Sequence, residues 1–224
     1  MNQRITTALA RSVLAASLAG ATLTACAPLI IGGAALGTMV AVDRRTSGAQ
    51  LEDEGIELRV AARVREAFGD KAHVNVTSYN RQVLLTGEVP TDAGRQQTEQ
   101  IVGRVDNVRA VVNELVVGGT STITQRSSDT LITGKVKASL VDAQDLYVGA
   151  FKVVTERSVV YLMGRVTQHE AERATQIART VGGVQRVVRI FEIITDDELR
   201  QLQKSGGRST PAAAPTPAPV SSRP

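Results

Sequence analysis

Val83-Leu84-Leu85-Thr86-Gly87-Glu88-Val89 returns seventy-seven residues later as Val160-Tyr161-Leu162-Met163-Gly164-Arg165-Val166. Each copy is a short apolar run, rich in β-branched residues, with a glycine inside it, which reads as a strand. Two further pairs fall into line. Ile56, Val60 and Val64 return as Ile132, Val136 and Leu140, offset by 76. Val108-Arg109-Ala110-Val111-Val112 returns as Val184-Gln185-Arg186-Val187-Val188 at the same offset. Three colinear blocks with one-residue slips establish an internal duplication.

Each copy reads outward from its central strand in the same way. Ile56, Val60 and Val64 are spaced i, i+4, i+8 and predict a helix with one apolar face. Val74 and Val76 alternate with polar residues, Asn80 turns the chain, and the central strand completes a hairpin. Thr91 or Asp92 can cap a second helix running to about Arg104, and Val108 to Val117 alternates as a third strand. The order is αββαβ, twice. The predicted class is α+β, with two tandem domains at 54–117 and 126–195, each a three-stranded sheet packed against two helices.

The order of elements, together with Leu-x-Gly-x-Val and a terminal Gly-Val-x-x-Val-x-Asn, resembles the BON domain. The first copy carries Leu85-Thr86-Gly87-Glu88-Val89 and Asn107-Val108-Arg109-Ala110-Val111-Val112-Asn113. The second carries Leu162-Met163-Gly164-Arg165-Val166 and Gly183-Val184-Gln185-Arg186-Val187. Asn107 stands where the motif has Gly, and copy two lacks the terminal Asn. Gly87 and Gly164 lie inside strands, where glycine marks close approach or a bulge. Both read as structural packing sites beneath a helix.

The only cysteine, Cys26, follows Leu23-Thr24-Ala25 and an apolar segment headed by Arg4 and Arg11. A charged n-region, an apolar h-region and small residues before a cysteine form a bacterial lipoprotein signal over 1–25. Cleavage would leave Cys26 to carry covalent diacylglycerol and an N-acyl chain, with no other cofactor. Multiple acyl chains give stable anchoring, at about 0.8 kcal/mol per buried methylene. Residues 26–53 read as a lipidated tether, and 196–224 as a Pro/Ala/Ser-rich disordered tail. A lipid-modified cysteine ahead of two such domains resembles the dual BON-domain outer-membrane lipoproteins. Ala27, in place of the Asp that holds such proteins at the inner membrane, implies an outer-membrane anchor facing the periplasm.

No catalytic constellation is legible. His73 and His169 have no companion at ligand spacing and read as exposed loop or helix-end residues. Gly118-Gly119 and Gly182-Gly183 lack the spacing and lysine of a phosphate loop. The chain is expected not to be an enzyme and to bind no metal. Aromatics are 3% of the chain and the net charge is +4, which argues against nucleic acid.

The two copies differ in charge. Residues 54–117 hold eight Lys/Arg and nine Asp/Glu; residues 126–195 hold ten and seven. A basic second copy suggests an anionic partner, and each basic residue near anionic lipid is worth about 1 kcal/mol. On its first helix Leu131 and Val141 lie about 140° to either side of the core stripe, beside Lys135 and Lys137. Leu146 and Tyr147 could extend this into an interfacial contact with anionic phospholipid. Leu131 could instead staple the helix start or pack on the first copy, or have no role. The resemblance implies phospholipid binding, outer-membrane integrity and enrichment at division sites. The alternative is a scaffold for envelope-assembly proteins or peptidoglycan-associated machinery, offered through exposed strand edges.

Overall fold

The computed structural model describes residues 43–206. The expected signal segment, Cys26 with the tether up to residue 42, and the chain beyond 206 lie outside the described residues. The first repeat contains α1 (Ser47–Phe68), β1 (His73–Tyr79), β2 (Gln82–Val89), α2 (Asp92–Gly103), β3 (Ala110–Asn113) and β4 (Val116–Val117). The second contains α3 (Ile123–Asp142), β5 (Phe151–Glu156), β6 (Val159–Val166), α4 (Gln168–Thr180) and β7 (Arg186–Ile193), after which α5 (Asp196–Gly206) follows. The expected αββαβ order holds in both. The third strand of repeat one is broken at Glu114-Leu115, and both of its pieces pair with β2. Leu115 is turned into the core instead.

Local chemistry sets these boundaries. Thr46, Thr91, Thr122 and Thr167 cap α1 to α4, each hydroxyl accepting a backbone N–H three residues on. The β1–β2 and β5–β6 pairs are antiparallel hairpins, joined by Asn80-Arg81 and Arg157-Ser158. All four turn residues have positive φ, between 49° and 68°. That is the backbone of a type I′ hairpin, which ordinarily calls for Asn or Gly. After each crossover helix, the final strand runs parallel to the central one.

A buried aspartate explains how these turns survive without glycine. Asp129, at the inner face of α3, accepts the N–H of Arg157 on Oδ2 and that of Ser158 on Oδ1, both at 2.8 Å. Its counterpart Asp53 on α1 accepts Asn80 N–H at 2.8 Å, Arg81 N–H at 2.7 Å and the Ser78 hydroxyl at 2.6 Å. Each carboxylate therefore ties the first helix of its repeat to the turn of its hairpin.

The central strand of each sheet is buried on both faces. One face of β2 packs Val83, Leu85 and Val89 against Ile56, Val60 and Val64 of α1. The equivalent face of β6 packs Val160, Leu162 and Val166 against Ile132, Val136 and Leu140 of α3. The opposite faces meet each other. Tyr79 and Leu84 from the first sheet join Tyr161, Met163 and Ile190 from the second in one cluster. Leu84 and Tyr161 are equivalent positions in the two copies. The unbroken runs Val83-Leu84-Leu85 and Val160-Tyr161-Leu162-Met163 are thus strands with no solvent side.

Three expectations need correction. The tether does not extend to residue 53, because α1 begins at Ser47 and Arg44 is already buried. The segment after 195 does not start as a disordered tail, because Asp196–Gly206 is helical, with Glu198 N–H donating to the Thr195 hydroxyl at its start. At the two glycines the nearest obstacle to a side chain is backbone, not a helix. A Cβ on Gly87 would sit 2.1 Å from the His73 carbonyl oxygen, and one on Gly164 would sit 2.4 Å from that of Ala150. Backbone from the start of the neighbouring strand, not a helix, excludes a side chain there. Gly87 also holds φ of 105°.

Candidate functional site

The Asp129 staple and the Ile132–Val136–Leu140 stripe fix which side of α3 faces outward. At 100° per residue, Ile123, Ser127, Leu131, Gly134, Ala138 and Val141 fall on the side opposite that stripe. All six are exposed. Ile123, Leu131 and Val141 are 83%, 66% and 60% accessible. The stripe is uncharged over about 27 Å of helix, until Asp142 at the last turn. Lys135 lies along one side and Lys137 along the other. Among the described residues neither lysine enters an ion pair. Large apolar side chains flanked by two free ammonium groups suit an interface where apolar groups dip below a layer of anions.

The structure separates the expected site residues. Leu131, Lys135, Lys137 and Val141 come together on this outward face. Leu131 does not pack on the first repeat. Leu146 is 8% exposed and lies in the second core, where Tyr147 also packs. A guanidinium, that of Arg44, sits 6.0 Å from the Tyr147 ring centroid. Leu146 and Tyr147 therefore do not extend the exposed face: the loop after α3 folds inward to close the core. Ile123 belongs to the face but escaped sequence reading, although its place two turns before Leu131 is a usable signal.

The seam between the repeats is polar at its rim. Glu88, fully buried, meets His73 Nδ1 and Arg157 Nη1, each at 3.2 Å. Burial alone would push its pKa up. The Ser121 N–H, Arg157 and His73 outweigh burial and hold it below the usual carboxylate range. His73 is therefore a strand residue in this network, not a free loop residue. Glu156 faces the same network with Asn75 Nδ2 at 2.8 Å. Burial raises its pKa, and the nearby Glu88 and Asp129 charges add to that rise. Tyr161, pushed up to about 12 chiefly by burial, stays a neutral phenol. Alongside, a cleft of about 380 Å³ is lined by Arg95, Glu114, Arg157, Tyr161 and Arg186. Arg186 is matched by Glu114 at 2.8 Å and Arg157 by Glu88. Among the described residues no three His, Cys, Asp or Glu side chains group to hold a metal. Among the same residues no helix is long and apolar enough to cross a membrane.

A duplicated α+β unit with a basic second copy and an exposed apolar helix face defines a tandem, surface-presenting module. The chain belongs to the BON-domain family, whose model matches residues 52–119 and 128–194. It is 36% identical over 183 residues to the outer membrane lipoprotein DolP of Haemophilus influenzae, covering 80% of this chain and 95% of that protein. It is 31% identical over 155 residues to a 21 kDa hemolysin of Actinobacillus pleuropneumoniae, covering 68% of this chain and 80% of the relative. A weaker likeness, 28% over 141 residues, joins it to osmotically-inducible protein Y of Escherichia coli, covering 61% of this chain and 70% of that one.

Proposed function

We propose that this chain is a non-enzymatic outer-membrane lipoprotein, anchored through acylated Cys26 and facing the periplasm. Its second BON domain binds anionic phospholipid through the outward face of α3. In this role it supports outer-membrane integrity, including at division sites. The anchor reading is supported by the signal pattern and by the relative described as an outer membrane lipoprotein. The observation that carries the lipid reading is the face itself: Ile123, Leu131 and Val141 exposed in line, with Lys135 and Lys137, unpaired among the described residues, at its borders. Repeat one lacks this arrangement. At the positions equivalent to Leu131 and Val141 it has Gly55 and Arg65, and Arg59 folds over Gly55 to reach Glu52.

Co-sedimentation with phosphatidylglycerol and phosphatidylcholine vesicles at physiological salt tests the proposal. Binding to the anionic vesicles alone, weakened by salt and by Leu131→Glu without a change in melting temperature, is the expected result. Leu131→Glu binding as well as the native chain would remove α3 from the account. The scaffold alternative draws on a separate observation. β7 is an eight-residue strand at the edge of its sheet, the position to which a partner strand would add. A protein partner retained after Leu131→Glu would favour it.

A further inference from the structure

Asp43, Arg44 and Arg45 read as tether, yet they form one of the most tightly made contacts in the fold. Arg44 is 3% exposed at its side chain. Its Nη1 and Nη2 donate to Glu170 Oε2 at 2.7 Å and Oε1 at 2.6 Å, a bidentate pair. Nη1 also donates to the Arg165 carbonyl at 2.9 Å, and Arg165 Nη1 reaches back to the Arg44 carbonyl at 3.5 Å. All of these partners belong to the second repeat, more than a hundred residues away. Arg45 turns the other way. Its guanidinium lies 4.3 Å over the Tyr79 ring and donates to Asp53 at 2.8 Å, both in the first repeat. Adjacent residues therefore grip different repeats, at the point where the chain arrives from Cys26.

The acceptor is specific to the repeat it serves. Glu170 stands three residues after the N-cap Thr167, where it also accepts the Thr167 N–H at 2.9 Å. Three residues after the equivalent cap Thr91, the first repeat has Gly94. Only the copy that receives Arg44 carries the carboxylate. Burial alone would raise the Glu170 pKa; Arg44 and the Thr167 N–H outweigh it and hold the group ionised. A buried pair of this kind adds little net stability over an apolar substitute, but it fixes one geometry and penalises its loss.

We infer that the Arg44–Glu170 clamp roots the lipid tether on the second repeat, so that the anchor holds that repeat and its α3 face at the bilayer. The inference rests on the lipid-contact reading of α3. Without the clamp, the seventeen residues from Ala27 to Asp43 would lead only into α1 of the first repeat. The second repeat would then follow the anchor only through its seam with the first repeat. Rooted on it, the tether raises the local concentration of lipid at α3. Arg44 and Glu170 are positioning residues and need not touch lipid.

The test uses the full-length acylated protein, reconstituted into phosphatidylglycerol-containing vesicles, with an environment-sensitive fluorophore on Ala138→Cys. Arg44→Glu and Glu170→Arg should each lower the membrane-inserted signal by at least about threefold. The exchange Arg44→Glu/Glu170→Arg should restore it, and Arg44→Lys should restore it only in part. Melting curves show that each variant is folded at the assay temperature; a merely structural clamp would shift melting and leave insertion below the melt unchanged. Equal insertion in Arg44→Glu and native protein overturns the clamp alone. A native protein whose label never inserts overturns the α3 reading and, with it, this role.

Discussion

Replacing Asp129 by alanine removes two charge-assisted hydrogen bonds and leaves a left-handed turn without its support. Bonds to a charged partner contribute about 1.5–3 kcal/mol each when both groups are buried. Here the acceptor is 5% exposed, but Arg157 is exposed and Ser158 half-buried, so water can replace part of the loss. The expected destabilisation is about 2–3 kcal/mol, below the sum of two full bonds. Asp142→Ala, at the exposed end of the same helix, should stay within about 0.5 kcal/mol. Both are read by urea denaturation at pH 7. A second arm isolates the cause. Arg157 and Ser158 hold φ of 51° and 62°, a region that costs roughly 1 kcal/mol per non-glycine residue. The double substitution Arg157→Asn/Ser158→Gly places there the Asn-Gly pair that adopts this backbone most readily. If the aspartate acts by holding the turn, that double substitution recovers more stability in the Asp129→Ala background than in the native one. A cycle with no coupling, or an Asp129→Ala loss as small as that of Asp142→Ala, refutes the reasoning. Asp53 has four partners instead of two, so Asp53→Ala should cost more than Asp129→Ala. Its contribution also depends on pH. Burial raises the Asp53 pKa, but the Ser78 hydroxyl, Arg81 N–H, Arg45 and Asn80 N–H hold it below the ordinary value. The stabilisation is therefore present above the unfolded-state pKa near 4 and lost as pH falls through the lower folded value.

Gly164→Ala should cost several kcal/mol, because the new Cβ meets the Ala150 carbonyl oxygen at 2.4 Å. Gly87→Ala should cost more still, since a positive φ adds to a 2.1 Å clash. Comparing the two melting temperatures checks the order. Glu156→Gln should stabilise the protein at pH 7 and have little effect near pH 3. The folded-state pKa of Glu156 is raised, so the native carboxylate loses stability as pH climbs from the unfolded value through the folded one. Glutamine keeps an oxygen for Asn75 without the charge. A stability difference between the variant and native protein that does not change with pH would contradict this assignment.

Much of the fold was legible because duplication doubled each signal. A single Leu-x-Gly-x-Val is weak; two in register with matching helix stripes are not. The helix faces were readable at Ile56–Val60–Val64 because one side of the period is apolar and the other is not. The seam between the sheets was harder to see. Leu84 and Tyr161 alternate with residues already assigned to the helix-facing core, so the runs carry no empty phase to mark a second face. Asp53 and Asp129 were missed because an aspartate near a helix start reads as solvated. The clue was their shared offset of 76, the same as that of the apolar stripe. Leu146 and Tyr147 were misplaced for a different reason. Sequence shows that a loop is apolar, but not whether it turns outward or folds back under the helix it follows.

The same geometry separates stability from function in the second repeat. Every residue that holds α3 in place points inward or along its flank: Asp129 to the hairpin turn, Ile132, Val136 and Leu140 to the sheet, Thr133 to the Thr155 hydroxyl at 2.7 Å. Among the described residues, no side chain of its outward stripe has a hydrogen-bond or ion-pair partner. Charge or bulk can therefore change at Ile123, Leu131, Gly134 or Val141 with little effect on folding. A loss of vesicle binding there reports on the surface alone. In repeat one the equivalent helix exposes Leu51 and Leu58, at 69% and 73%, with Glu54 one turn from each. There Glu54 stands beside both leucines and Arg59, at the place of Lys135, is paired with Glu52, whereas Lys135 and Lys137 of α3 have no ion-pair partner among the described residues. The two helices share a core pattern and a hairpin staple, and differ on the flank, where Glu57 stands at the place of Thr133, and on the outward face. An aspartate staples each helix to its own hairpin turn, and under the proposed lipid contact it is the border charges that would distinguish the two.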